Sequence, residues 1–293
     1  MTMKKLTIVA ALMVLVCSLQ AQLTYSTNAD GTLLIIGYTG SGSVTIPDAV
    51  NGRTVTGIAN QSLRSWTSLT TISIPRTITF IGTQALTECS QLQAINVDPL
   101  NPVYSSLDGV LFDKPRTMLI QYPGGKPGTY RIPDSVATLQ VGCCELCVGL
   151  TGLIVPKSIT NLTSFTCYTC ANLIAVYFMG NPPTAGSGAL DFTPATVYYL
   201  PGTGWGPTFY GHPTVLWNPE ISAIDSNFGV SGARFGFNLT GTSNLTVVVE
   251  ACTDLANPNW TPVSTNILLG GPSHFADPQS TNYSSRFYRL RSP

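Results

Sequence analysis

Between residues 42 and 180 the apolar positions recur in one order. In "LTTISIPRTITFIGTQALTECSQL" (69–92), residues Leu69, Ile72, Ile74, Ile78, Ile81, Leu86, Cys89 and Leu92 fall inward, while Thr71 and Ser73 alternate outward from a short strand. Pro75 ends that strand, Gly82 permits a turn, and "ALTEC" is predicted to form a single helical or 3₁₀ turn. The order returns every 23 residues: "LQAINVD" (92–98) follows "LTTISIP" (69–75), and "LIAVYFM" (173–179) follows "LTGLIVP" (150–156). "GTYRIP" (128–133) stands one period before Pro156, so an insertion separates two halves. "GSVTIP" (42–47) opens a further unit, set back because "NGRTV" lengthens its turn. One such coil cannot bury its own apolar edge. Stacking at least six at a strand spacing of about 4.8 Å closes a continuous core, which predicts a solenoid.

These residues resemble the BspA-type leucine-rich repeat, whose units run Leu-x-x-Ile-x-Ile-Pro, then Val-x-x-Ile-Gly, then Ala-Phe and a Cys. "DGTLLIIGYTGSGSVTIPDAVNGRTVTGI" resembles that family's opening coil, "YSSLDGVLFDKPRTMLIQYPGG" its inserted hairpin, and "VYFMGNPPTAG" through "VYYLPGTGWGPTFYGHPTVLW" a closing unit. Leu86, Cys144 and Cys167 stand where the family has Phe, which implies a thinner core there. The expected fold is mainly β. A leucine-rich-repeat solenoid of 23-residue coils over 22–217 holds an inserted hairpin at about 99–127 and a closing unit at about 177–217.

After "WNPE" (217–220) the rhythm stops. "RFGFNL", "NLTVVVEAC", "NWTPV", "HFAD" and "RFYRL" are short alternating segments separated by turn residues, which predicts a small C-terminal antiparallel β-sandwich over 218–293. Phe235, Phe237, Trp260 and Phe287 are its expected core. "ACTDLANPNWTPV … FYRL" resembles a C-terminal module found on many exported bacterial proteins, which implies association with the cell envelope.

Residues 1–21 read as a secretory signal peptide: Lys4 and Lys5, an uncharged apolar run from Leu6 to Val16, then a polar stretch reaching Ala21. The run is shorter than the roughly 20 residues of a membrane span, and no later segment offers a transmembrane helix. A secreted or cell-surface location follows. Removing the two leader lysines leaves 12 of 14 basic residues against 14 acidic ones, with no basic patch for nucleic acid.

"CCELC" (143–147) and "CYTC" (167–170) have the spacing of a four-thiolate zinc site, yet Cys144 and Cys167, like Cys147 and Cys170, are one repeat period apart. The repeat alone produces that spacing. Buried thiols acting as small apolar residues fit it, an inter-coil disulfide involving Cys143 or its neighbours is open to an exported chain, and zinc is the third reading. Neither a catalytic, a cofactor-binding nor a metal site is assigned. His212 and His274 sit in turn-like contexts outside any Ser/His/Asp or Cys/His arrangement, and Asp113 and Glu145 cannot be paired as glycosidase carboxylates.

What remains is surface. The outward strand position forms the column Thr45, Ser73, Asn96, Arg131, Ile154 and Tyr177, beside the smaller Ser43, Thr71, Ala94, Thr129, Gly152 and Ala175. Ser73, Asn96, Arg131 and Tyr177 are the candidate face for a protein or glycan partner. The resemblance implies surface attachment and protein binding, which predicts an exported recognition or adhesion protein without enzymatic activity. The alternatives are an envelope anchor or spacer and, further off, a cryptic hydrolase or accessory sugar-binding protein.

Overall fold

The computed structural model describes residues 22–242, 245–268 and 272–291. The expected signal peptide, 1–21, lies outside the described residues. Within them the chain is built of strands and turns, with one 3₁₀ turn at Ser280–Asn282 and no α-helix.

The 23-residue period becomes a column of parallel strands. Gly42–Thr45, Leu69–Ile74 and Ala94–Val97 pair in parallel and bring Thr45, Ser73 and Asn96 into register. After the insertion, Gly128–Arg131, Leu150–Val155, Ala175–Phe178, Thr196–Tyr199 and His212–Leu216 continue in the same way, aligning Arg131, Ile154, Tyr177, Tyr198 and Val215. Their inward neighbours Ile72, Ile95, Leu153, Val176 and Val197 are essentially sealed from solvent, each contributing about 1.5–3 kcal/mol. At the N-terminal end, Gln22–Thr27 runs antiparallel to Leu33–Thr39 and supplies the opening hairpin.

The segment "ALTEC" is neither α nor 3₁₀. Its turn is bracketed by left-handed residues, Gln84 (φ 54°) and Glu88 (φ 63°), and the pattern repeats at Gln61 and Ser65, Gly142 and Leu146, and Phe165 and Thr169. This geometry turns successive amides along the stacking axis. The N–H groups of Gln61, Leu63 and Ser65 donate to the carbonyls of Thr83, Ala85 and Thr87, and those of Gly142, Cys144 and Leu146 to Ser164, Thr166 and Tyr168, at 2.8–3.1 Å. A helical turn would have spent those donors locally and left adjacent coils unbonded.

The insertion works as a partition. Its strands Tyr104–Leu107 and Val110–Asp113 form a hairpin, followed by Met118–Gln121. Leu111 and Ile120 enter the core of the first coils, while Val110, Phe112, Leu119 and Tyr122 enter that of the later ones. Asn101, fully buried, closes the junction. Its Nδ2 donates to the carbonyls of Pro75 (2.8 Å) and Ile78 (2.9 Å), and its Oδ1 accepts the N–H groups of Val103 (2.9 Å) and Tyr104 (2.8 Å).

The C-terminal segment forms two antiparallel sheets, one of Glu220–Ser222, Gly229–Ser231, Arg234–Thr240 and Ser273–Asp277, the other of Thr246–Cys252, Thr261–Ile267 and Phe287–Arg291. Phe237, Leu239, Val247, Val249 and Phe275 fill the space between them, and Tyr198, Val215 and Trp217 of the last coils pack against the same core. The expected core is corrected at two positions. Phe287 is 37% exposed and Tyr288 points inward, because the Tyr288 hydroxyl finds a buried acceptor in Asp277 at 2.8 Å. Trp260 instead lies beneath the Arg289 guanidinium, 4.4 Å from its centre.

Candidate functional site

The outward column does not run unbroken along the solenoid. The tip of the inserted hairpin abuts the third strand: the Gly109 carbonyl accepts the Ile95 N–H at 2.8 Å, and Ser106 Oγ accepts that of Val97 at 3.0 Å. A side chain at Gly109 would strike Ala94, so this contact requires glycine, which also adopts φ 79° there. Thr45, Ser73 and Asn96 therefore belong to one sheet, and Arg131, Ile154 and Tyr177 to another.

The two runs differ in character. In the first, Thr45 and Asn96 are exposed and Ser73 half-buried. No side-chain hydrogen bond engages any of the three within the described residues. They line an open groove of about 600 Å³ together with Pro47, Asp48, Pro75, Asp98 and Pro99, in which Asp98 Oδ1 accepts the Leu100 N–H at 2.8 Å. Pro47 and Pro75 share one repeat position and end their strands there, because the ring cannot donate to the next rung; in the third strand that position is Asp98, whose N–H donates to the Ile74 carbonyl at 2.9 Å before Pro99 follows. The result is a level shelf of unspent hydroxyl and amide groups above buried Val44, Ile46, Ile72, Ile74 and Ile95.

In the second run, Arg131 is exposed and pairs with Asp134 at 3.1 Å, a surface contact of little energetic weight. Ile154 and Tyr177, both expected to face outward, are only 7% and 5% exposed. Tyr177 stacks on Tyr198 at 4.8 Å and meets Trp217 edge-on at 6.4 Å. Burial raises its hydroxyl pKa above the ordinary range, with the neighbouring Tyr198 adding to the shift. The terminal sandwich packs on Tyr198 and Trp217, so this end of the column is occupied by the chain itself.

The cysteine motif lies on the opposite wall. Cys89, Cys143, Cys144, Cys147, Cys167, Cys170 and Cys252 are all unpaired and buried. Cys144, Cys147, Cys167 and Cys170 share one apolar cluster. Neighbouring thiols and burial push Cys144 and Cys167 up, burial pushes Cys147 up, and hydrogen bonds from Cys147 and Cys167 draw Cys170 down. Among the described residues, no His, Cys, Asp or Glu group has an arrangement able to hold a metal ion.

The titratable groups considered for catalysis are each engaged. Asp113 closes a turn by accepting from Thr117 N–H (2.7 Å), Thr117 Oγ1 (2.6 Å) and Met118 N–H (2.8 Å). Glu145 binds Arg64 at 3.0 Å and Gln84 at 2.6 Å, and Arg64 also bonds Glu88. Burial pushes Glu145 up, whereas the hydrogen bond from Arg64 pulls Glu88 down. Such a split suits acid and base roles in principle. Here both carboxylates converge on one guanidinium, leaving no room for a glycosidic bond between them, and the trio clamps coils on either side of the insertion. Contrary to expectation, both histidines lie on strands: His212 faces the carbonyls of Ala195 and Leu190 at 3.1 Å, and His274 faces Asn238 Oδ1 at 3.1 Å.

Residues 39–107 and 128–202 match the BspA type leucine-rich repeat region, in six copies. The gap between the two stretches contains most of the inserted hairpin. Among solved structures, the chain is similar to the pneumococcal vaccine antigen PcpA at 18% identity, covering 51% of this chain and 44% of that one, with a TM-score of 0.43. The match thus spans less than half the length of that antigen. A leucine-rich repeat protein from Eubacterium ventriosum aligns at 15% identity over 62% of this chain and 77% of its own, TM-score 0.38. A leucine-rich cell surface protein from Faecalibacterium prausnitzii aligns at 16% identity over 61% and 88%, TM-score 0.30. Comparison with curated proteins returned no match.

Proposed function

Because the chain belongs to the BspA-type leucine-rich repeat family through its solenoid, we propose that it is an exported, non-enzymatic recognition protein that holds a protein or glycan partner in the groove over Thr45, Ser73 and Asn96. The observation that carries this reading is the row of side-chain donors and acceptors, level, in register and unspent, on a sheet whose reverse side is fully packed. A face ordered before binding pays little conformational entropy on association, so several modest polar contacts add up. Arg131 extends the face beyond the hairpin tip, while Tyr177 serves the junction with the terminal module.

Binding of the mature chain to glycan and protein arrays, repeated with a Ser73→Ala/Asn96→Ala double variant, tests the proposal. Two lost hydrogen bonds at about 0.5–1.5 kcal/mol each weaken a true ligand by about 5- to 150-fold. Binding that survives the double substitution unchanged rules the groove out.

An anchoring role for 218–293 is the second reading. The packing of that module on Tyr198, Val215 and Trp217 favours a cap instead, since an open solenoid end exposes apolar rungs that need a cover. Retention on the cell surface by Trp217→Ser/Tyr198→Ser, with the module still folded but undocked, would restore the anchor.

A further inference from the structure

The terminal module contains a second cavity, of about 320 Å³, where the ends of Thr246–Cys252 and Thr261–Ile267 meet the segment from Gln279 to Arg286. The charged residue in its wall is Arg286, whose side chain is only 9% exposed. Its guanidinium carbon lies 4.2 Å over the Tyr283 ring. Nε sits 2.7 Å from Oδ2 of Asp277, in an ion pair too misaligned to count as a hydrogen bond.

Asp277 has little left to give. It is itself buried, with Oδ1 accepting the Gln279 N–H and Oδ2 the Tyr288 hydroxyl, both at 2.8 Å. A guanidinium offers five N–H donors. Asp277 and the adjacent Tyr288 oxygen account for at most two, so at least three meet no protein acceptor among the described residues. Nε is sealed from solvent with no hydrogen-bond partner, and a buried donor left unmet is costly.

We propose that this cavity binds a small carboxylate, gripped by the free edge of the Arg286 fork and resting against the exposed part of the Tyr283 ring. A planar fork matches two carboxylate oxygens, whereas a phosphate dianion would want a second cation that the lining lacks. The amides of Asn259 and Gln279, also in the lining, supply partners for hydroxyl or carbonyl groups on the ligand body. The carboxylate belongs either to a sugar acid or to the end of a peptide chain.

Titration of the mature chain, followed by NMR, with glucuronate and with N-acetylalanine separates these sources, and glucose and N-acetylalanine amide serve as neutral counterparts. The expected result is saturable binding of at least one acid, weakened by about tenfold or more in Arg286→Lys, which keeps the charge and loses the fork. Tyr283→Ala, at a 42% exposed position, should weaken it without unfolding the module. Ser73→Ala/Asn96→Ala should leave it unchanged, which keeps this site separable from the groove. Failure of both acids to bind, equal binding of acid and neutral forms, or indifference to both Arg286→Lys and Tyr283→Ala overturns the assignment.

Discussion

Replacing Asn101 by alanine should cost this protein more than its size suggests. The side chain is fully buried and makes four hydrogen bonds of 2.8–2.9 Å, all to main-chain groups. Alanine orphans the Ile78 carbonyl in the preceding coil and the Val103 and Tyr104 amides at the start of the hairpin, in a site too enclosed for bulk water to reach, while the Pro75 carbonyl keeps the Ile78 N–H at 3.3 Å. At the low end of the usual penalty, about 1 kcal/mol per orphaned group, the loss is about 3 kcal/mol, a large part of the roughly 5–15 kcal/mol that holds a typical domain folded. Asn101→Asp keeps the acceptor but turns a carboxylate on the carbonyls of Pro75 and Ile78. It should be as damaging at neutral pH and recover partly in acid, since a buried carboxyl with a raised pKa stabilises only while protonated. Urea unfolding followed by tryptophan fluorescence measures the total, and hydrogen exchange at Val103 and Tyr104 locates it. A loss below about 1 kcal/mol for the alanine variant would refute the view that Asn101 joins the two halves of the solenoid.

Three further outcomes follow from other contacts. For Glu250, burial acts to raise the pKa but the hydrogen bonds from Arg291 and Arg289 outweigh it, so the folded value is lowered. Its contribution is therefore present above the unfolded carboxylate range and lost as pH falls through the folded pKa; Glu250→Gln should flatten that part of the acid-unfolding curve, and an unaltered curve would count against the pairing. Unfolded, nonreduced mature protein should titrate seven thiols, matching the seven unpaired cysteines, while the native form should react slowly because burial pushes Cys89 up to about 11 and seals the rest; five or fewer thiols would mean a disulfide between coils. Gly82→Ala would set a Cβ 2.4 Å from Asn60 N and Oδ1 of the preceding coil, so a loss of about 1–3 kcal/mol is expected, and a variant that melts like the parent would disprove that approach.

The parts of this molecule legible in its sequence are those governed by periodicity. Residues such as Ile72, Ile95 and Leu153 declare their inward side because each recurs at the repeat interval, and Ser73 and Asn96 are outward for the same reason. Positions governed by a third element were not legible. Tyr177 has the outward parity of Asn96, but it is buried against Tyr198 and Trp217 of the last coils, which in turn pack against the terminal module. Gln84 and Glu88 adopt left-handed backbone without the glycine that usually signals it, so their segment reads as helical. In "RFYRL" the adjacent Phe287 and Tyr288 allow either strand parity, and the choice rests on Asp277, which is distant in pairing as well as sequence. Arg286 was hidden by the same ambiguity.

The turn ladder also constrains how this gene can change length. In the regular coils each turn amide, such as that of Leu63 or Cys144, reaches a carbonyl 22 residues further on, and the strand residues Ser73, Arg131 and Ile154 each pair with one 23 further on. Removing or duplicating a whole period upstream of Tyr177 returns each donor to an equivalent acceptor, whereas a shorter indel inside a paired strand or turn shifts that ladder out of step. Other lengths enter only at the connections between the ladders, as in the opening coil, where Thr45 pairs with Ser73 28 residues on while the turn amides keep their offset of 22, and the series halts at the last aromatic strands, whose outer surface is already committed to the module that follows.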